Sequence, residues 1–162
     1  MPGFGSLLTI HVVLSLVALG TGFLVMPAAL GRPVPRGWTA VFIGTAVATS
    51  LTGFLFPYSG PTPAFVTGIL ACIVFALMLL ARAFAFAGGW QRVHAVGLVA
   101  SLYFLVLAGI TQAFLKIAPL QSLAPTGSEP PLAIVQGLVL LGFLWLGWRA
   151  ARGRRRVFAA PA

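Results

Sequence analysis

Acid is almost absent from this sequence. Its 162 residues hold one carboxylate side chain, Glu129, against ten Lys and Arg, and only 7% of the chain is charged. A water-soluble domain carries about 25% charged residues. With so little polar surface, the solvent around this chain must be lipid. Cysteine is scarce too. Cys72 stands alone in an apolar run, so neither an intrachain disulfide nor a cysteine metal site can form, and it reads as a small hydrophobe. Lys and Arg are missing before Arg32. The N-terminal stretch therefore lacks the positive start of a signal peptide and reads as a retained first membrane helix. No Ser-His-Asp, Walker, Rossmann or HExxH pattern is present, and nothing supplies a nucleophile, so no catalytic residue is assigned. One His, one Glu and a few amides make a weak ligand set, so no metal is expected.

What the chain does have is long apolar runs. A membrane helix needs roughly 20 mostly apolar residues. Five stretches qualify: 6–26, ended by Pro27; 38–56, ended by Pro57; 64–83; 91–115, closed by Lys116 and Pro119; and 131–148. Gly88 and Gly89 separate the third from the fourth, and the segment ARAFAFAGGW before them is expected to continue as an interfacial helical turn. Short loops make neighbours antiparallel in one bundle. The expected fold is an all-α integral membrane helical bundle of five transmembrane helices. It forms a single domain over 1–150, followed by a basic tail over 151–162.

The charges orient it. Arg32 and Arg36 lie in the first loop, Arg82 and Arg92 flank the third, and Arg149, Arg152, Arg154, Arg155 and Arg156 follow the last span. With five spans all nine face one side, leaving Lys116 and Glu129 on the other. A four-span arrangement would split the basic clusters across both faces. The positive-inside rule then puts the N-terminus outside and the C-terminus inside. The arginine tail suits anionic lipid headgroups rather than nucleic acid. Trp38, Trp90, Trp145 and Trp148 fall near the inner ends of the spans, as an aromatic belt does.

Bundle contacts in lipid favour small and weakly polar residues. Helical spacing puts His11, Ser15, Ala18 and Gly22 on one face of the first span, and Thr45, Thr49, Thr52 and Phe56 on one face of the second. His94, Gly97, Ser101, Leu105, Ala108 and Gln112 form a stripe on the fourth. Gln136, Leu140, Phe143 and Gly147 do so on the fifth. At about 1.5 Å per residue, His11, Thr52, Thr67, Gln112 and Gln136 all fall roughly 6–9 Å below the outer boundary. Glu129 and Ser128 sit just above them, within reach of Tyr58. The expectation is a polar pocket in the outer leaflet.

Glu129 has a structural reading and a functional one. Thr126 and Glu129 have the T-x-x-E spacing of a capping box. Alternatively Ser128 caps the helix and Glu129 lies in its first turn, where an anion complements the helix dipole. Pro130 and Pro131 suit that turn. Functionally, Glu129 pairs with His11 or with a ligand above the patch. His94 lies near the inner end, reads as a snorkelling interfacial histidine, and is too far from His11 to share one haem iron with it.

Three stretches, GWTAVFIGTAVATSLTGFLFP (37–57), YFLVLAGITQAFLKIAPL (103–120) and LAPTGSEPP (123–131), resemble a family of small, functionally uncharacterised bacterial integral-membrane proteins. The TGF-x-FP and APT-x-SEPP pieces carry most of the resemblance, with Gly127 standing where the family pattern has Gln. The resemblance implies a bacterial membrane protein, supports the span count, and marks Thr52, Gln112 and Glu129 without giving them a role; the expected location is the bacterial inner membrane. The leading expectation is an accessory or ligand-binding membrane protein. One alternative is a redox protein that holds haem or quinone, with His11 as a haem ligand beside a non-histidine group or across a dimer. Another is a small transporter or proton-conducting protein using Glu129 and His11. A membrane-protein partner or a homo-oligomer is compatible with each.

Overall fold

The computed structural model describes residues 2–57, 60 and 62–153. The described residues form six helices: α1 (Pro2–Ala29), α2 (Arg36–Gly53), α3 (Pro63–Ala83), α4 (Trp90–Lys116), the single turn α5 (Ala118–Gln121) and α6 (Pro130–Arg152). Among the described residues there is no strand. All five apolar stretches are helical, and the differences lie at their ends. α1 runs through Pro27 to Ala29. It ends where Gly31 takes a φ of +83°, with the Gly31 N–H on the Ala28 carbonyl and the Arg32 N–H on the Pro27 carbonyl. This is the glycine C-cap in which six-to-one and five-to-two bonds satisfy the last carbonyls. α2 stops at Gly53, short of the expected 56. Pro119 does not merely close α4: Ile117 is extended, and Pro119 then sits in the first turn of α5.

The segment ARAFAFAGGW does not continue as a helical turn. Ala85 and Phe86 both have positive φ, 49° and 58°. The Phe86 N–H reaches the Ala81 carbonyl at 2.9 Å, the same capping bond as at Gly31 but without a glycine to relieve the backbone. The tight reversal lays Phe86 edge-on against His94, with ring centres 5.1 Å apart. His94 is thereby covered, only 5% exposed, instead of reaching out to an interface.

The long helices alternate in direction, with α4 at the centre, packed against α1, α3 and α6. α1 and α2 form a close antiparallel pair, whereas α2 and α3 touch more lightly. The main core joins Ala18 and Val25 of α1, Phe42 and Ala46 of α2, Phe75 and Met78 of α3, and Leu98 and Leu102 of α4. Small residues let the backbones approach. A methyl on Gly22 would lie 2.6 Å from Leu102 Cδ1 and 2.8 Å from Phe42 Cε2. One on Gly97 would lie 2.5 Å from Met78 Cγ. The Ser101 hydroxyl donates to Met78 Sδ beside it. The α4 stripe read from spacing is buried at His94, Gly97 and Ser101 but exposed at Ala108 and Gln112. The buried α4 residues of the main core lie between Ala95 and Leu102, and Leu105 is only partly buried against it, so the cover thins further along that face. A second small core, Phe114, Ala124 and Leu132, seats the segment between α4 and α6 instead.

α1, α3, α4 and α6 are each long and apolar enough to cross a membrane, and α2 falls below that composition. Large apolar side chains point outward all round, among them Leu16, Leu79 and Leu141 at 63–64% exposure. That is the outside of a protein whose solvent is hydrocarbon. Gly22→Ala is expected to lower the unfolding midpoint in mild detergent, by about 1–3 kcal/mol of overpacking. Gly44→Ala serves as the control and is expected to cost nothing, since no atom lies within 4 Å of its added methyl.

Candidate functional site

The alternation of the helices gives the bundle two unlike ends. One carries Arg32, Arg36, Arg82, Arg92, Arg149 and Arg152; Arg154, Arg155 and Arg156 lie outside the described residues. The other carries Lys116 and Glu129, and the candidate pocket residues gather at that end. Measured from the Gly22–Leu102 contact at about 1.5 Å per residue, His11 and Thr111 lie roughly 16 and 14 Å toward it.

Thr52, near the end of α2, faces His11 of α1. His11 Nδ1 lies 2.9 Å from Thr52 Oγ1. The Thr52 hydroxyl also lies 2.8 Å from the Ala48 carbonyl and 3.1 Å from the Thr49 carbonyl. A hydroxyl has one proton and two lone pairs. Spending the proton on its own helix, which in hydrocarbon is the nearest acceptor, leaves the oxygen to accept from His11 Nδ1–H. The network thus assigns the neutral tautomer with its lone pair on Nε2. Phe56 meets the imidazole edge-on at 5.3 Å, and Gly53 leaves ordinary contact distance to Cε1. The TGF-x-FP motif is therefore the wall against which His11 is held. Among the described residues, nothing bonds to Nε2.

The other candidates find different partners. Gln136 of α6 donates from Nε2 to Thr111 Oγ1 of α4 at 3.0 Å, and Thr111 donates to the Leu107 carbonyl. Thr111 is the residue that sequence spacing missed: Gln112, one position on, is exposed. No signal in the sequence marked it, because α4 meets α6 on a different side from α1 and α3. Thr67 donates to the Pro63 carbonyl of its own helix. Tyr58 lies outside the described residues. The expected patch is thus two separate pairs, His11–Thr52 and Gln136–Thr111, and no hydrogen bond joins them among the described residues. Elsewhere, Thr49 Oγ1 and Gln91 Oε1 are buried without hydrogen-bond partners.

Glu129 is neither a first-turn residue nor a partner of His11. It is the N-cap of α6, with Pro130 and Pro131 opening the helix, and its side chain turns back into the loop. One carboxylate oxygen accepts from the Thr126 N–H and the Thr126 hydroxyl, both at 2.9 Å, and the other accepts from the Ser128 N–H at 3.0 Å. The reach-back half of a capping box is present, though Thr126 does not cap the helix. With its proton given to Glu129, Thr126 Oγ1 accepts from the Ser128 hydroxyl at 2.7 Å. Gly127 closes the turn at φ +76°, where a side chain would be strained and would press on Leu115. The APT-x-SEPP motif is a closed ring of donors around one acid.

Those donors, the Thr126 N–H first, hold the Glu129 carboxyl below its ordinary pKa. A depressed folded pKa means that the carboxylate stabilises the fold above its unfolded value and loses that contribution as pH falls through the folded one. The unfolding midpoint of Glu129→Gln is therefore expected to lie below wild type at neutral pH. The gap is expected to close on acidification below the ordinary carboxylate range, as read by parallel thermal scans in detergent.

Compared with protein-family models, curated proteins and solved structures, the chain matches none of them.

Proposed function

We propose that this chain is a non-catalytic membrane protein of five spans that holds a small ligand at His11, on the outer side of a bacterial inner membrane, as an accessory or binding subunit. The observation that carries the reading is the His11 Nδ1–Thr52 Oγ1 contact at 2.9 Å, from which the tautomer follows. Nδ1 is committed to Thr52, and Nε2 keeps a free lone pair at a level where the neighbouring hydroxyls and Gln136 are already engaged. A polar atom without a partner is costly in hydrocarbon. The ligand that suits it brings a hydrogen-bond donor, a hydroxyl or N–H, on a body apolar enough to enter from lipid.

α2 is taken as the fifth span although its composition is less apolar. It is 18 residues long, or about 27 Å. Thr45 and Thr52 donate to their own helix, so they present less polarity than their residue type suggests. Counting α2 puts every described arginine on one side, which the positive-inside rule makes cytoplasmic.

The same tautomer favours one second reading. A histidine whose Nδ1–H is held by an oxygen is oriented as metal-bound histidines are, with Nε2 toward the metal. A haem iron with a second, non-histidine ligand, or a quinol hydroxyl, would use the same lone pair. His94 is not that second ligand, because it sits near the opposite end, roughly 25–30 Å away along the bundle. A proton path from Glu129 to His11 has less support, since each is bonded within its own neighbourhood.

Native mass spectrometry of the protein in mild detergent tests the site. A bound mass is expected on wild type, lost at least tenfold in His11→Ala and reduced in Thr52→Val. Visible absorbance of the same sample separates haem from a colourless ligand. Wild type without any bound mass, or a bound mass indifferent to His11→Ala, would sink the proposal. Span number is read separately, in a Cys72→Ser background. Gln121→Cys is expected to label from outside the cell and Arg32→Cys from inside only. Labelling of both from one side would remove α2 as a span.

A further inference from the structure

At the basic end, the last turn of α6 closes against the C-terminus of α1. Leu30, Trp148, Arg149, Arg152 and Gly153 line a cleft of about 230 Å³ there. At roughly 30 Å³ per water, that volume equals about eight waters, room enough for a phosphoryl group with its oxygens. The two guanidiniums are placed. Arg149 lies over the Trp145 ring at 5.0 Å and Arg152 over the Trp148 ring at 4.2 Å. Both tryptophans are about half exposed, at 54% and 52%, so the stacked arginines stand where apolar surface meets the basic end.

Among the described residues no carboxylate balances their charge. The only carboxylate side chain is Glu129, at the opposite end and held by Thr126 and Ser128. The helix C-termini meeting here, of α1 and α6, each carry about half a negative charge. Together they offset about one of the two positive charges. A surplus of about one unit remains in a cleft whose donors are planar guanidiniums, the geometry that suits a phosphate.

We propose that this cleft is a specific site for the phosphate of an anionic glycerophospholipid. The lipid source is favoured over free phosphate because half-exposed Trp148 lines the cleft and half-exposed Trp145 carries Arg149 beside it, rings that suit the headgroup level. The site differs from a general attraction of basic residues to an anionic surface, which falls off with distance and needs no cleft. It rests on the membrane reading above, and on that alone: the lipid site is assayed in detergent, where the sidedness of the chain plays no part and the His11 ligand is a separate mass.

The test is native mass spectrometry with added phosphatidylglycerol or phosphatidylcholine, alone and with millimolar inorganic phosphate. Wild type is expected to retain one phosphatidylglycerol per chain in preference to phosphatidylcholine. Arg149→Ala with Arg152→Ala is expected to lower that retention at least fivefold. Arg154→Gln with Arg155→Gln, which removes the same charge, is expected to lower it less than twofold. If the alanine pair does not give a monodisperse protein, Arg149→Lys with Arg152→Lys keeps the charge, loses the planar fork, and is expected to lower retention at least twofold. Equal losses from the cleft and tail pairs would overturn the site in favour of bulk charge. Equal retention of the two lipids, full retention by the lysine pair, or displacement of the lipid by inorganic phosphate would each overturn it as well.

Discussion

Hydrocarbon offers no hydrogen bonds, and the rest of this structure follows from that constraint. The chain meets it mostly within single helices. Ser15 donates to the His11 carbonyl, Thr21 to Val17, Thr45 to Val41, Thr67 to Pro63 and Thr111 to Leu107. Hydroxyls that bond back to their own helix leave its surface close to apolar, so helices rich in Thr and Ser remain compatible with lipid. Two side chains with more polar capacity than one helix can absorb, His11 and Gln136, cross to a neighbour instead. In both cases the partner is a threonine whose own proton is already spent.

With polar groups so settled, helix association depends on close approach. α4 serves as the hub because Gly97 admits Met78 of α3, while Gly22 of α1 admits Leu102 of α4 and Phe42 of α2. The tight core occupies the half of the bundle nearer the arginines, and the other half is held by the loop that Glu129 closes and by Phe114, Ala124 and Leu132. The single acid is thus a structural device: it collects three donors and sets the start of α6. Among the described residues that leaves the arginines at the far end without a carboxylate, and the two features belong to one charge distribution.

Proposed chemistry sits where this internal satisfaction stops. At one end a histidine retains a lone pair after its other nitrogen has been fixed. At the other, two guanidiniums exceed what two helix termini can neutralise. Each place offers groups that could hold a ligand.

The sequence by itself determined the all-helical class, the five long helical segments to within a few residues, and the gathering of arginines at one end. Apolar length and the scarcity of acid are local or additive properties, and they need no knowledge of neighbours. It also marked His11, Thr52 and Gln136, because a polar side chain in an apolar run stands out wherever it packs, and Glu129, because it is the one acidic side chain. Only the tertiary structure decided who meets whom. Spacing along α4 could not show that Gln112 faces out while Thr111 takes Gln136, since that depends on which side α6 chose. Nor could it show that Glu129 turns back to Thr126 rather than toward His11, that Ala85 and Phe86 would adopt left-handed backbone over His94, or that α1 and α6 would close a cleft around two arginines. Each of these depends on contacts between segments far apart in the chain, and periodicity records a residue's face without recording what lies opposite.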